Sequence, residues 1–310
     1  MTQWAPHPLT LRQLQYIVAV AETRSFRRAA ERCRVAQPSL STQLAQAERA
    51  LGVTLFERDR RHVLTTAAGE ALLAHAQRVL VEADDLVAAA ARLGDPLAGT
   101  LRIGVIPTVS PYLLPEIAPP LRKALPRLEL LWSEDKTSTL VERLTRGELD
   151  AALVALEAEL GDFEHEVIGR DRFVLAVGAG HPMCGSSKPL AAGELKPEEL
   201  LLLAEGHCLR DQALAVCGRG RLKESAFGAT SLATLTQMVA AGRVMTLLPE
   251  LALSTENRRG QLHLRAFKKP APGRTLALVW RRGGAVTTAA RAIAASIRES
   301  YQRLMARSRR

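Results

Sequence analysis

The chain has 310 residues, 47% of them hydrophobic, which is enough material for two or three compact domains. Four cysteines are too few for a disulfide scaffold, and no apolar run reaches the length of a membrane span. A formal charge of +10 points toward a polyanionic partner. The segment Met1 to Pro8 lacks a basic-then-apolar leader, so a short irregular lead and a cytoplasmic location are expected.

Leu11, Leu14, Ile17, Val18 and Ala21 fall on one helical face. A second helix is expected from Ser25, with Phe26, Ala29, Ala30 and Cys33 inward, and a third behind Pro38, with Leu40, Leu44, Ala47 and Leu51 as its buried stripe. The other face of the third helix carries Gln37, Ser39, Ser41, Thr42, Gln43 and Gln46, short hydrogen-bonding side chains that suit base edges in a major groove. Thr54 to Val63 reads as a β-hairpin wing whose Arg58, Arg60 and Arg61 would touch phosphates. Between Thr10 and Thr66 ten arginines face five carboxylates, so the positive charge is local.

Thr66 suits the N-cap of a long helix in which Leu72, Ala76, Val79, Ala83, Leu86, Ala90 and Leu93 make a heptad seam. Such a helix predicts a dimer that reads a two-fold operator in double-stranded DNA. Gly94 to Gly99 breaks the helix, and the domain boundary is placed there. Beyond it, short apolar runs (101–106, 128–132, 151–156, 173–177, 200–203, 244–248, 262–266 and 276–280) alternate with helical stretches (111–124, 139–146, 231–241 and 287–305). This pattern predicts an α/β domain with largely parallel sheets. Loops after the first two strands would place the hydroxyls of Thr108 and Thr137 at the strand ends where ligands bind, although either threonine also suits a helix N-cap.

The stretch from Glu205 to Cys217 sets Cys208 beside His207 and Arg210, with Cys217 nine positions on. A helix beginning at Cys208 would put its sulfur at the positive end of the dipole, with His207 and Arg210 adding charge, all of which favours a thiolate. In one continuous helix residues nine apart lie on opposite faces, about 13 Å apart along the axis. A disulfide needs Cα atoms within about 7 Å, so the bond requires the segment to unwind. The bland alternative is a pair of buried small side chains. Cys184 is expected to be a bystander, and no metal site is expected.

The blocks Ser25-Phe26-Arg27-Arg28-Ala29-Ala30, Gln37-Pro38-Ser39-Leu40-Ser41 and Leu51 to Arg58 are similar to the N-terminal signature of the LysR-type transcription regulators. The loop Ile106 to Pro115, the segment His207 to Cys217 and the run Ala229 to Pro249 resemble the peroxide-sensing branch of that family, with a departure at Arg243-Val244-Met245. The resemblance implies a winged helix-turn-helix domain (1–66), a linker helix (67–93), a hinge (94–99) and a regulatory domain (100–310). The last is built like a periplasmic binding protein, with one lobe from 100–168 plus 271–310 and another from 169–270. Arg27, Gln37, Pro38, Ser39, Thr42, Gln43, Arg58, Arg60 and Arg61 become the DNA-binding candidates.

By the same resemblance Cys208 is the peroxidatic and Cys217 the resolving cysteine, and Thr108, Thr137, His207 and Arg274 hold hydrogen peroxide at the sulfur. Arg210 and Asp211 are either groups that move with the segment or an exposed ion pair. RNA polymerase and a homotetramer are implied partners, with no cofactor, no membrane and no enzymatic turnover. The alternative is a LysR-type regulator answering to a small organic effector in the inter-lobe cleft.

Overall fold

A computed structural model describes residues 7–58, 63–92, 94–217 and 229–308. The chain divides into two compact units, 1–90 and 91–310. In the first, α1 (Leu11–Thr23) opens on a capping box: the Thr10 hydroxyl accepts from the Gln13 N–H (3.2 Å) and the Gln13 side chain accepts from the Thr10 N–H (2.9 Å). Ser25 caps α2 (Phe26–Arg32), and α3 (Gln37–Leu51) has Pro38 in its first turn and stops at Gly52, whose φ of 71° suits glycine. Leu14, Ile17, Val20, Ala29, Ala30, Leu40, Leu44 and Leu55 form the core between them. The expected face of α1 is rotated. Leu11 stays 50% exposed while Tyr16, Ala19 and Val20 are buried, because α1 packs against both α2 and α3.

Strands β1 (Phe56–Arg58) and β2 (Val63–Thr65) pair antiparallel as the expected wing. The hairpin tip, with Arg60 and Arg61, lies outside the described residues. Thr66 then caps α4 (Ala67–Arg92) by accepting from the Gly69 N–H (2.9 Å) while its hydroxyl donates to the Thr54 carbonyl (2.7 Å). A Cβ at Gly69 would lie 2.3 Å from the Leu55 carbonyl oxygen, so only glycine permits this approach of helix to wing. Of the heptad seam, Val79 and Leu86 remain exposed, as does neighbouring Val87.

The second unit begins with β3 (Gly99–Val105), α5 (Ser110–Ala124), β4 (Leu128–Glu134), α6 (Thr137–Thr145) and β5 (Ala151–Ala155). These are followed by β6 (Phe163–Val177), α7 (Cys208–Cys217), α8 (Leu232–Ala241), β7 (Met245–Pro249), α9 (Leu253–Glu256), β8 (His263–Arg265), β9 (Gly273–Arg281) and α10 (Thr287–Ser308). The strand order is β4-β3-β5-β9-β6-β7, with β8 on β6.

The expectation of largely parallel sheets is corrected. Among the described residues only the ladders of β3 with β4 and β5 are parallel, while the β5–β9, β6–β9, β6–β7 and β6–β8 ladders are antiparallel. The cause is β6, a long strand whose first part pairs with β9 and whose end pairs with β7 and β8. Its early residues Glu164, His165, Glu166, Arg170 and Arg172 hid it from hydrophobic pattern. β6 thus runs from one lobe of the α/β unit into the other.

Residues 200–203, expected as a strand, make only isolated bridges, Leu200 to Met245 and Leu203 to Ala229. Their apolarity reflects burial, not ladder pairing. Among the described residues no helix is long and apolar enough to cross a membrane.

Candidate redox site and DNA-binding face

Cys208 is the first residue of α7 and Cys217 the last. The continuous helix separates them by about 13 Å along its axis, and both are free thiols. Gly206 turns the chain into the helix with φ of 85°. Cys208 is buried, and burial pushes the Cys217 thiol up to about 11, so Cys217 stays protonated at neutral pH while the helix is intact.

Cys208 and His207 line a small pocket with Ile106, Pro107, Thr108, Lys136 and Thr137. Its empty volume is about 170 Å³, with no space wide enough for a freely placed water-sized sphere. The Thr137 hydroxyl is buried and, among the described residues, has no hydrogen-bond partner. Neither threonine is the N-cap of the helix beside it: Val109 and Lys136 occupy those positions, which removes the capping alternative.

Four sequence expectations change here. Burial, with a smaller repulsion from Lys136, pulls the His207 imidazole below its usual range; it is neutral at pH 7 and adds no charge. Arg274, expected to face the peroxide, stands behind Thr108: one guanidinium nitrogen donates to Thr108 Oγ1 (2.6 Å) and another to its carbonyl (2.9 Å). The same guanidinium pairs with Asp171 (3.0 Å), and both side chains are fully buried. Burial pushes the Asp171 carboxyl up, opposed by Arg274 and by the Leu251 N–H that donates to it (3.1 Å). Because Thr108 Oγ1 accepts from a cation, its own O–H is left to donate.

Arg210, weighed as an ion pair with Asp211, instead donates to the Leu203 carbonyl (3.1 Å). Asp211 is exposed on a second groove that reaches Cys208, lined also by Glu157 and Glu159. Gln43, expected to reach bases, accepts from the Gln13 side chain (3.2 Å) and is half-buried.

The remaining candidates on the helical face of the first unit, Gln37, Pro38, Ser39 and Thr42, are exposed at the start of α3, and Thr42 donates to the Pro38 carbonyl (2.9 Å). Arg27 is exposed and lies 3.4 Å from Glu31. Arg58 lies in β1. Among the described residues no cluster of metal-ligating side chains occurs.

Two site residues escaped sequence reasoning. Lys136 stands beside Thr137 in the chain, but nothing in its spacing marks it. Gln212, one turn into α7, is buried with both amide atoms unpartnered among the described residues, and a lone glutamine in a helix gives no signal of that. A buried orphan polar group costs about 1–3 kcal/mol. Gln212→Leu is therefore expected to stabilise the reduced chain by about that amount, read as a higher melting temperature under reductant; a lower one would mean the amide has a partner in solution.

Residues 11–70 match the bacterial regulatory helix-turn-helix protein model of the lysR family, and residues 94–302 match the LysR substrate binding domain. The chain belongs to the LysR family. Among LysR relatives, it is 44% identical to the hydrogen peroxide-inducible genes activator of Dickeya chrysanthemi, over 95% of this chain and 96% of that one. It is 42% identical to the DNA-binding transcriptional dual regulator OxyR of Escherichia coli K12, over 94% and 95%. A full-length OxyR variant from Pseudomonas aeruginosa superposes with a TM-score of 0.72 at 36% identity, covering 94% of this chain and 95% of that one. A hydrogen peroxide-bound OxyR mutant from Corynebacterium glutamicum gives 0.64 at 33% identity, covering 98% and 97%.

Proposed function

We propose that this LysR-family protein is a redox-sensing transcription regulator in which hydrogen peroxide oxidises Cys208 and a Cys208–Cys217 disulfide changes the DNA contacts. The observation that carries it is a thiol at a helix start in a pocket with an orphaned Thr137 hydroxyl, with the second thiol at the far end of the same helix. The relatives named as peroxide-inducible activators and OxyR support the same reading.

The chemistry balances with these parts. The electron pair of the Cys208 thiolate attacks one peroxide oxygen, the S–O bond forms as the O–O bond breaks, and hydroxide leaves and is protonated to water. Donors at Thr108 and Thr137 suit the peroxide oxygens. The sulfenic acid then condenses with the Cys217 thiol, releasing a second water and leaving the disulfide, which cellular thiols reduce. Closing that bond requires α7 to unwind.

The small-effector alternative finds less support, because the wider groove at Cys208 is lined by Thr137, Ser138, Glu157, Glu159 and Asp211, whereas pockets for organic ligands are lined mainly by hydrophobic and aromatic side chains. Turnover as a peroxidase is not part of the proposal: each cycle resets a switch.

The exposed apolar residues Val79, Leu86 and Val87 on α4 support a homodimer through the linker helix. A homotetramer and contact with RNA polymerase complete the reading. So do the proposed boundaries: 1–66 for DNA binding, 67–93 for the linker, 94–99 for the hinge and 100–310 for sensing, with lobes 100–168 plus 271–310 and 169–270.

Exposed polar residues at the start of α3 suit the major groove of operator DNA, and Arg27 suits a phosphate. Ser39→Ala is expected to relax base preference by about 1–3 kcal/mol at one position, while Arg27→Ala weakens binding to all sequences and lowers the salt slope by about one. Titrations on specific and random duplexes check both; equal effects on the two duplexes would undo the assignment. The central test is thiol mapping by mass spectrometry before and after a brief peroxide pulse, with a Cys208–Cys217 linkage expected and two unchanged thiols overturning the reading.

A further inference from the structure

The chemistry at Cys208 asks for a positive charge, and the structure withdraws both groups that sequence offered for it. His207 is neutral at pH 7, and the Arg210 guanidinium is turned to the Leu203 carbonyl. Lys136 is the cationic side chain that lines the pocket with Cys208. It comes from the junction of β4 and α6, whereas Cys208 comes from the segment beyond β6. Its Nζ donates to the Glu205 carbonyl (2.9 Å), and its stem lies against Gly206, where an added Cβ would sit 3.0 Å from Lys136 Cδ and 3.3 Å from Nζ. Gly206 already needs its φ of 85°, so the turn before the thiol is shaped to receive this side chain.

We propose that Lys136 is a positioning residue for the peroxide reaction: its ammonium fastens the Glu205–Gly206 turn to the start of α6 and supplies the fixed positive charge of the pocket that Cys208 lines. The inference rests on the redox reading above and adds the residue that sets how readily the thiol reacts. Charges on the other side of the sulfur work against a thiolate, since the second groove at Cys208 carries Glu157, Glu159 and Asp211. Glu157 is in part engaged with the Thr275 N–H (2.8 Å). Glu205 is exposed, and Asp135 accepts from the Lys136 backbone N–H (2.9 Å). Against these acids, with His207 neutral and Arg210 turned away, the Lys136 ammonium is the compensating charge among the described residues that line the pocket. Because it lines the pocket that Cys208 lines, its charge favours both the thiolate and the departing hydroxide.

The test uses the full-length reduced chain with Lys136→Met and Lys136→Arg. The rate of Cys208 oxidation by hydrogen peroxide and, separately, the rate of Cys208 alkylation by iodoacetamide are followed across pH by peptide mass spectrometry. Lys136→Met is expected to slow peroxide oxidation about tenfold near neutral pH and to move the midpoint of both profiles alkaline, the direction expected when a thiolate loses an opposite charge from its pocket. Lys136→Arg should recover most of the rate and the midpoint. A Lys136→Met chain with unmoved midpoints, or a Lys136→Arg chain as displaced as Lys136→Met, overturns the proposal. If the parent chain forms no Cys208–Cys217 disulfide, the redox reading falls by itself, and the alkylation profile still decides the role of Lys136.

Discussion

Cys208→Ser is expected to abolish the peroxide response while leaving DNA affinity within about twofold of the parent under reducing conditions, because Cys208 belongs to the second compact unit and not to the helix-turn-helix, and distant sites act nearly independently. The serine hydroxyl is nearly isosteric with the thiol and fills the same place at the start of α7, so the reduced fold should persist. What disappears is the nucleophile, because an alcohol at neutral pH does not attack peroxide without a strong base, and the neighbouring imidazole, its pKa lowered by burial, is a weak one. Cys217→Ser should separate the two steps: sulfenic acid forms at Cys208 and no intramolecular bond follows. Non-reducing electrophoresis with a sulfenic-acid probe checks both. A Cys208→Ser chain that still changes its operator footprint on peroxide addition would remove Cys208 from the mechanism.

Arg274→Met should be the most destabilising single change at the site. It leaves Asp171 buried without its cation, and breaking such a pair by removing one partner costs about 3–5 kcal/mol, on the order of a 10 °C fall in melting temperature for a unit of this size. It also removes the two donors that orient Thr108, so the peroxide rate should fall even in molecules that remain folded. The double variant Asp171→Leu with Arg274→Met tells the two effects apart. With both charges gone, stability should return toward the parent, whereas Thr108 stays unheld and the slow reaction persists. Recovery of both stability and rate would mean that Arg274 serves the fold alone.

Much of the organisation is legible along the chain because local rules decide it. Thr10 with Gln13, Ser25 and Thr66 mark helix starts through the hydrogen bonds that their side chains can make within three residues, and Pro38 does so through its fixed φ. The position of Cys208 at a helix start follows from the turn that Gly206 makes. Hydrophobic pattern served where a strand is buried throughout, as in β5 and β7, and failed where it is not. β6 carries charges along its early residues because those side chains face ion-pair partners such as Arg298, which lies 2.6 Å from Glu166. In the opposite sense, Leu200 to Leu203 is apolar because it is buried, although it belongs to no ladder.

By itself the sequence determined the order of helices in the first unit, the local excess of arginine, the two thiols nine residues apart and the hydroxyl loops after the first two strands, since each depends on residues near one another in the chain. Only the tertiary structure decided which charges serve the sulfur. Solvation and hydrogen-bond partners are set by residues brought from far along the chain. They neutralise His207, turn Arg210 to Leu203, place Arg274 behind Thr108 and bring Lys136 across to Glu205 and Gly206. A residue's charge state and direction are properties of its surroundings, and those exist only once the chain has folded.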